Sequence, residues 1–200
     1  PSEAPEPAGA HQQRFASTRL KPQVVLGARC PDRPVLVRPE TPFSILAGDR
    51  VTLYVGTAVF LTLAPDEGEP VFELPVFRTT DTWIGADTRS GMLGYASRTS
   101  ARTVLASLAA RPGRAVTRLT LVNSTKRALA FERVVLPMPS LGLWAAADHR
   151  LWTDDVTYEL SADPEGTVRT AAPEGAQRLS GPRTPRDGGA FQRAWATLFR

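Results

Sequence analysis

Residues 50–63 read RVTLYVGTAVFLTL, and this stretch decides the fold class. Val51, Leu53 and Val55 alternate with Thr52 and Tyr54, the period of two that turns one face of a strand to a core and the other outward. Gly56 interrupts the alternation and predicts a bulge or bend. Residues 58–63 continue as an apolar run, which suits a strand buried on both faces or lying at a sheet junction.

The same pattern extends in both directions. Residues 23–26 and 35–38 are short β-branched runs bounded by proline, which marks strand edges and turns. Pro65-Asp66-Glu67-Gly68 reads as a turn and residues 71–78 as the next strand, with Pro75 predicting an edge position or a bulge. Residues 116–122 and 128–136 flank the polar run 123–127, which reads as a hairpin loop. Val156, Tyr158 and Leu160 alternate ahead of Asp163-Pro164-Glu165-Gly166, a type I turn signal, and residues 167–170 return. Strands at this spacing predict an all-β antiparallel sandwich, jelly-roll or immunoglobulin-like. No strand–helix alternation supports a doubly wound fold. Residues 100–110 and 143–149 are compatible with helix or strand.

Composition sets the outer bounds. Eighteen prolines and 15 glycines in 200 residues exclude a helical bundle, because proline breaks helix interiors and glycine weakens them. A hydrophobic share of 42% and a charged share of 22% exclude wholesale disorder. Residues 1–20 read as a flexible tail, 21–176 as the β-sandwich, 177–189 as a Pro/Gly/Arg linker and 190–200 as a short amphipathic helix. In that last segment Phe191, Trp195, Leu198 and Phe199 fall on one helical face. No run is long and apolar enough for a bilayer span, and no signal peptide is visible. The chain starts without Met, so it reads as a processed or trimmed product from which a leader has been removed or not. Cys30 is the lone cysteine, which precludes an intrachain disulfide, suits a reducing cytoplasm and reads as inert.

The net charge of +4 invites a nucleic-acid reading. Twenty-two of the 24 basic residues are arginine, a bias that a GC-rich coding sequence explains. From Gln177 onward there are five arginines and one acid, whereas residues 1–176 hold equal numbers of bases and acids. The excess therefore sits in the linker and terminal segment, and no nucleic-acid partner is expected.

Four groups of residues are candidates for chemistry. Arg78, Asp81, Trp83, Asp87, Arg89, Tyr95 and Arg98 crowd into one glycine-rich stretch. They suit either an anionic-ligand pocket or a structural arrangement, with Trp83 plugging the sandwich and the arginines paired to Asp81 and Asp87. Phe191, Arg193, Trp195, Leu198 and Phe199 suit docking to a protein partner or an anionic membrane surface, or folding back onto their own domain. Asp148, His149 and Asp154 are the residues a hydrolase would use. Asp148, Asp154 and Asp155 are the oxygens a hard cation would use, although no metal-ligand spacing is present. Asn123-Ser124-Thr125 matches a glycosylation sequon but is better explained as a turn. Trp144 and Trp152 read as core or near-core. No nucleotide-binding loop or nucleophile elbow occurs, and no cofactor is expected.

The segments YVGTAVFLTL (54–63), LPVFRTTDTWIGADTRSGMLGYASRTSAR (74–102), RAVTRLTLVNSTKRALAFERVVLPMPSLGL (114–143) and LWTDDVT (151–157) resemble an uncharacterised archaeal and bacterial family catalogued as a domain of unknown function. The resemblance implies a β-rich module and a neighbourhood with mechanosensitive-channel-type membrane proteins. It assigns no catalytic residue. The sequence-level expectation is thus a non-enzymatic binding or accessory module, cytoplasmic or peripheral to a membrane. It would dock a partner protein, a membrane protein included, through residues 190–200, and homo-oligomers are compatible with it. The alternative is a small-anion sensor near Arg78, Trp83, Arg89 and Tyr95, and a hydrolase ranks last.

Overall fold

A computed structural model describes residues 16, 23–39, 41–65, 69–85, 89, 91–99, 102–161 and 166–183. These residues form an all-β protein whose strands in chain order are β1 (Val24–Arg29), β2 (Val35–Pro39), β3 (Phe43–Ile45), β4 (Arg50–Ala58), β5 (Phe60–Pro65), β6 (Phe72–Pro75), β7 (Thr80–Ile84), β8 (Met92–Thr99), β9 (Arg114–Asn123), β10 (Leu129–Phe131), β11 (Val134–Leu136), β12 (Leu143–Ala145), β13 (Leu151–Thr153), β14 (Asp155–Leu160), β15 (Thr167–Ala171) and β16 (Gln177–Ser180). The only helical turns among the described residues are 3-10 turns at Leu105–Ser107 and Met138–Ser140.

β9 is the spine. β4 lies antiparallel along one edge in unbroken register from Arg50↔Val122 to Ala58↔Arg114. The other edge is shared by two successive strands, both parallel to β9: β13 pairs at Ala115 and Val116, and β14 pairs from Leu119 to Asn123. β15 extends the sheet beyond β14, while β12 and β16 extend it beyond β13. A second sheet runs β11-β2-β8-β7 and a third runs β1-β5-β6, with β3 paired to β10. The inward positions of β4, β9 and β14 (Leu53, Val55, Leu119, Leu121, Val156 and Tyr158) pack with Val35, Val37, Val134, Leu136, Met138 and Leu141 into one core. The far face of the second sheet buries a smaller cluster of Leu36, Ile84 and Val135.

Several expectations are corrected. The sheets are mixed rather than purely antiparallel, because β2–β8, β9–β13 and β9–β14 are parallel pairs. After β9 the chain loops through β10–β12 before returning, so it re-enters beside β9 in the same direction. Gly56 makes no bulge and pairs directly with Val116. Residues 123–127 do not close a hairpin, since β10 pairs with β3 and not with β9. The reason is Asn123. Its buried amide donates to the carbonyls of Ile45, Leu46 and Arg127 at 2.8–3.0 Å, and its oxygen accepts from the backbone and hydroxyl of Thr125. This ties the end of β9 to the turn after β3 and sends the following segment elsewhere. The same saturation explains the Asn-Ser-Thr sequence structurally. Of residues 100–110, the described ones (102–110) contribute an isolated bridge from Arg102 to Tyr54 and one 3-10 turn, and the sheet continues into β16 past residue 176. Pro75 ends the outer strand of its sheet, as an edge proline should. The segment expected as a terminal helix, 190–200, lies outside the described residues.

Candidate functional site

A well-formed concavity follows from the register of three strands. β4, β9 and β13 bring Gly56, Arg114, Val116 and Leu151 to one end of the sheet. Over that end runs the 102–113 segment, fastened at both ends by backbone bonds. Arg102 and Tyr54 exchange bonds at 2.7 and 3.2 Å, and Val59 N donates to Gly113 O at 3.0 Å. Gly113 has φ +74°, and a Cβ there would meet Val76 at 2.4 Å, so glycine is required on both counts. The third wall is the β12–β13 turn. His149 N donates to Ala146 O, and Asp148 Oδ1 accepts from Arg150 N at 3.0 Å.

These walls enclose about 620 Å³, lined by Arg102, Arg111, Arg114, His149 and Arg150 together with small and apolar residues and no acid. Arg114 is held by a bond to Gly56 O at 3.3 Å and lies 5.3 Å from the Phe77 ring. Arg150 Nε faces Asp148 at 3.6 Å, while its Nη1 is buried without a hydrogen-bond partner. That nitrogen is an unsatisfied donor beside the cleft wall. His149 holds φ 60°, the only non-glycine positive φ among the described residues, and is exposed at the rim. Four arginines lining a volume of this size suit a compact, multiply charged anion. Each fork can take two phosphate or carboxylate oxygens.

Of the sequence-derived ligand group, Asp81 and Tyr95 are register partners on β7 and β8. Tyr95 is buried and donates its hydroxyl to Asp32 at 2.7 Å; burial and that bond push it up to about 12. Asp81 pairs with Arg33 at 3.2 Å, and Arg33 also lies over the Tyr95 ring. Arg78 lines a recess of about 90 Å³ shared with Tyr95 and Arg114. Arg89 is exposed, Arg98 pairs through its backbone with Arg38, and Asp87 is not among the described residues. Trp83 does not plug the core. It is 46% exposed and lies against Gly91, whose missing Cβ leaves room for the indole.

The hydrolase group does not assemble. Asp154 is fully buried and accepts from Gly142 N at 2.8 Å and Trp144 Nε1 at 2.9 Å, so it closes the break between β13 and β14. Asp148 pairs with Arg150, and Asp155 pairs with Arg118. The three acids therefore do not converge on a cation site. Trp152 packs edge-on to Tyr54 at 6.4 Å, and Arg178 lies over Trp144. Cys30 is buried, its thiol pushed up to about 12 by burial and then by Asp154. Phe191, Arg193, Trp195, Leu198 and Phe199 lie outside the described residues.

Sequence reading overlooked Arg102, Arg111, Arg114 and Arg150. A signal was available: residues 88–131 contain seven arginines, Lys126 and no acid. Summing charge over 1–176 concealed it.

The family model described as "Protein of unknown function (DUF432)" matches residues 7–199. No curated protein and no solved structure matches the chain.

Proposed function

We propose, for a chain that belongs to the DUF432 family of proteins of unknown function, that it is a non-enzymatic binding domain for a small polyanion, a phosphate-rich metabolite or polyphosphate, held in the arginine cleft. One observation carries this reading: Arg102, Arg111, Arg114 and Arg150 line one cavity with no acid in its wall. Like charges gathered in one wall repel, a cost that the pairing of Arg150 with Asp148 offsets only in part, and an anion bound between them removes it. The sensor expected near Arg78 and Tyr95 is thus relocated to a neighbouring and larger cavity.

Thermal unfolding with inorganic phosphate, pyrophosphate and citrate tests the proposal. Pyrophosphate at about a hundred times its Kd raises Tm by about 5–10 °C. The Arg114→Ala/Arg150→Ala double variant loses that shift, and Arg89→Ala keeps it. No shift with any anion, or an equal shift in the double variant, refutes the reading. Partner docking through residues 190–200 is the alternative to docking of that segment on its own chain, and the association with mechanosensitive-channel-type membrane proteins is a separate proposal; both rest on sequence alone.

A further inference from the structure

The three-stranded sheet β1-β5-β6 leaves large apolar side chains exposed on one face. Residues directly opposite in a register share a face, as do residues two apart on one strand. The pairs Val24↔Pro65, Leu26↔Leu63, Ala28↔Leu61, Leu61↔Leu74 and Leu63↔Phe72 therefore put Val24, Leu26, Ala28, Leu61, Leu63, Pro65, Phe72 and Leu74 on the same side. Every one is apolar. Val24 and Leu26 are two-thirds exposed, and Leu74 is half exposed. The opposite side carries Val25, Arg29, Phe60, Thr62, Ala64 and Glu73, with Phe60 and Thr62 buried. The apolar side is thus the outer one. An antiparallel sheet facing water on one side normally alternates apolar-in and polar-out, and here the outer side is apolar as well. A contiguous apolar patch of this kind marks a contact surface.

The chain's own course identifies the occupant. Arg183, the last described residue, is tied to this sheet: it donates to Glu73 on β6 and to the carbonyl of Cys30, just past β1. From there to Phe191 is eight residues, which reach about 25 Å when extended. Arg183 sits on the inner side with Glu73 and Phe60, so the chain rounds an edge of the sheet, which is about 10 Å across its three strands and about 20 Å along β1, and the following segment comes onto the outer face from that edge. That segment, AFQRAWATLFR, presents Phe191, Trp195, Leu198 and Phe199 at helical spacing, four large apolar groups for an apolar wall.

We infer that residues 190–200 of the same chain dock their aromatic stripe onto the outer face of β1-β5-β6 and cover Leu26, Leu61 and Leu74. The segment is then an intramolecular strap rather than an arm held out to another protein.

Full-length chains carrying Leu61→Cys together with Phe191→Cys, Trp195→Cys or Leu198→Cys test this, because the native Cys30 is buried and does not compete. Mild oxidation is expected to give an intramolecular disulfide in most molecules of at least one pair, running as monomer on a non-reducing gel. A companion measurement uses the full-length Trp195→Ser/Phe199→Ser variant, whose dye-reported apolar exposure is expected to rise severalfold over wild type. Disulfide-linked dimers would show that a second copy covers the face and would overturn the inference. So would the absence of any crosslink across the three pairs, or unchanged dye binding in the double variant. The Tm response to pyrophosphate reads the arginine cleft independently.

Discussion

Arg183 and Glu73, 110 residues apart, meet through a single guanidinium nitrogen that lies 2.8 and 2.6 Å from the two carboxylate oxygens. The same guanidinium donates through Nε to Cys30 O at 2.8 Å and lies 5.8 Å from the Phe60 ring. One side chain thereby joins the end of β16 to β1, β5 and β6. Both partners are largely shielded, at 15% and 25% side-chain exposure. Arg183→Ala is expected to lower stability by about 2–3 kcal/mol, below the loss for a fully buried pair because water still screens it. Glu73→Gln keeps a hydrogen-bond acceptor and loses less. Urea midpoints measure both, and a loss under about 0.5 kcal/mol for Arg183→Ala contradicts the assignment.

Asp154 tests whether the acid at the β13–β14 break is structural. Its carboxylate accepts from Gly142 N and Trp144 Nε1. Asp154→Ala leaves those donors unpaired and is expected to cost about 3 kcal/mol. Asp154→Asn keeps one acceptor oxygen and recovers about half. The near-ultraviolet circular dichroism of the tryptophans changes with the Ala variant. A hydrolytic role would instead leave stability intact in the Asn variant.

His149 offers a backbone test, free of packing because the residue is exposed. At φ 60° a β-branched side chain collides with its own backbone. His149→Val is therefore expected to lose about 1–2 kcal/mol, whereas His149→Gly loses nothing. Equal stabilities of the two variants would show that the turn relaxes to another conformation.

Alkaline pH should unfold the protein in a defined window. Cys30 is pushed from an ordinary 9.0 to about 12, chiefly by burial. Tyr95 is pushed from 10.0 to about 12 by burial and its bond to Asp32. In both cases the folded state holds the proton more tightly than the unfolded state. Their contribution is complete below about pH 9 and declines as pH rises from 9 through 12. Urea midpoints are expected to be flat from pH 7 to 8.5 and to fall above 9. Cys30→Ala removes the earlier part of that fall. Thiol reagents stay unreactive toward wild type at pH 8 until urea is added. Midpoints that hold constant to pH 11 would show that neither group resists ionisation in the fold.

Local pattern revealed the strands and hid their neighbours. The alternation of Val51, Leu53 and Val55, and that of Val156, Tyr158 and Leu160, correctly assigns inward faces, because burial acts residue by residue. Nothing in those periods says that β14 lies parallel to β9, since pairing depends on the path of the intervening chain. Asn123 illustrates the difference. It looks like a loop residue in sequence, yet its buried amide redirects the following strand to β3. The arginine cleft was concealed in the same way, because Arg102, Arg114 and Arg150 become neighbours only through the register of β4, β9 and β13.

The position of β9 also dictates the order in which the molecule can assemble. β4 pairs residue for residue with a strand that begins more than fifty positions later, and β9 itself waits for β13 and β14 on its other edge. As the chain is synthesised, β4 emerges with its apolar face and one hydrogen-bonding edge unsatisfied until β9 follows it. Such distant pairings make folding slow and leave sticky intermediates exposed meanwhile. A nascent chain stopped before residue 114 therefore holds the strands of the smaller sheets but not the spine that β4 needs, and is a substrate for chaperones rather than a half-built domain.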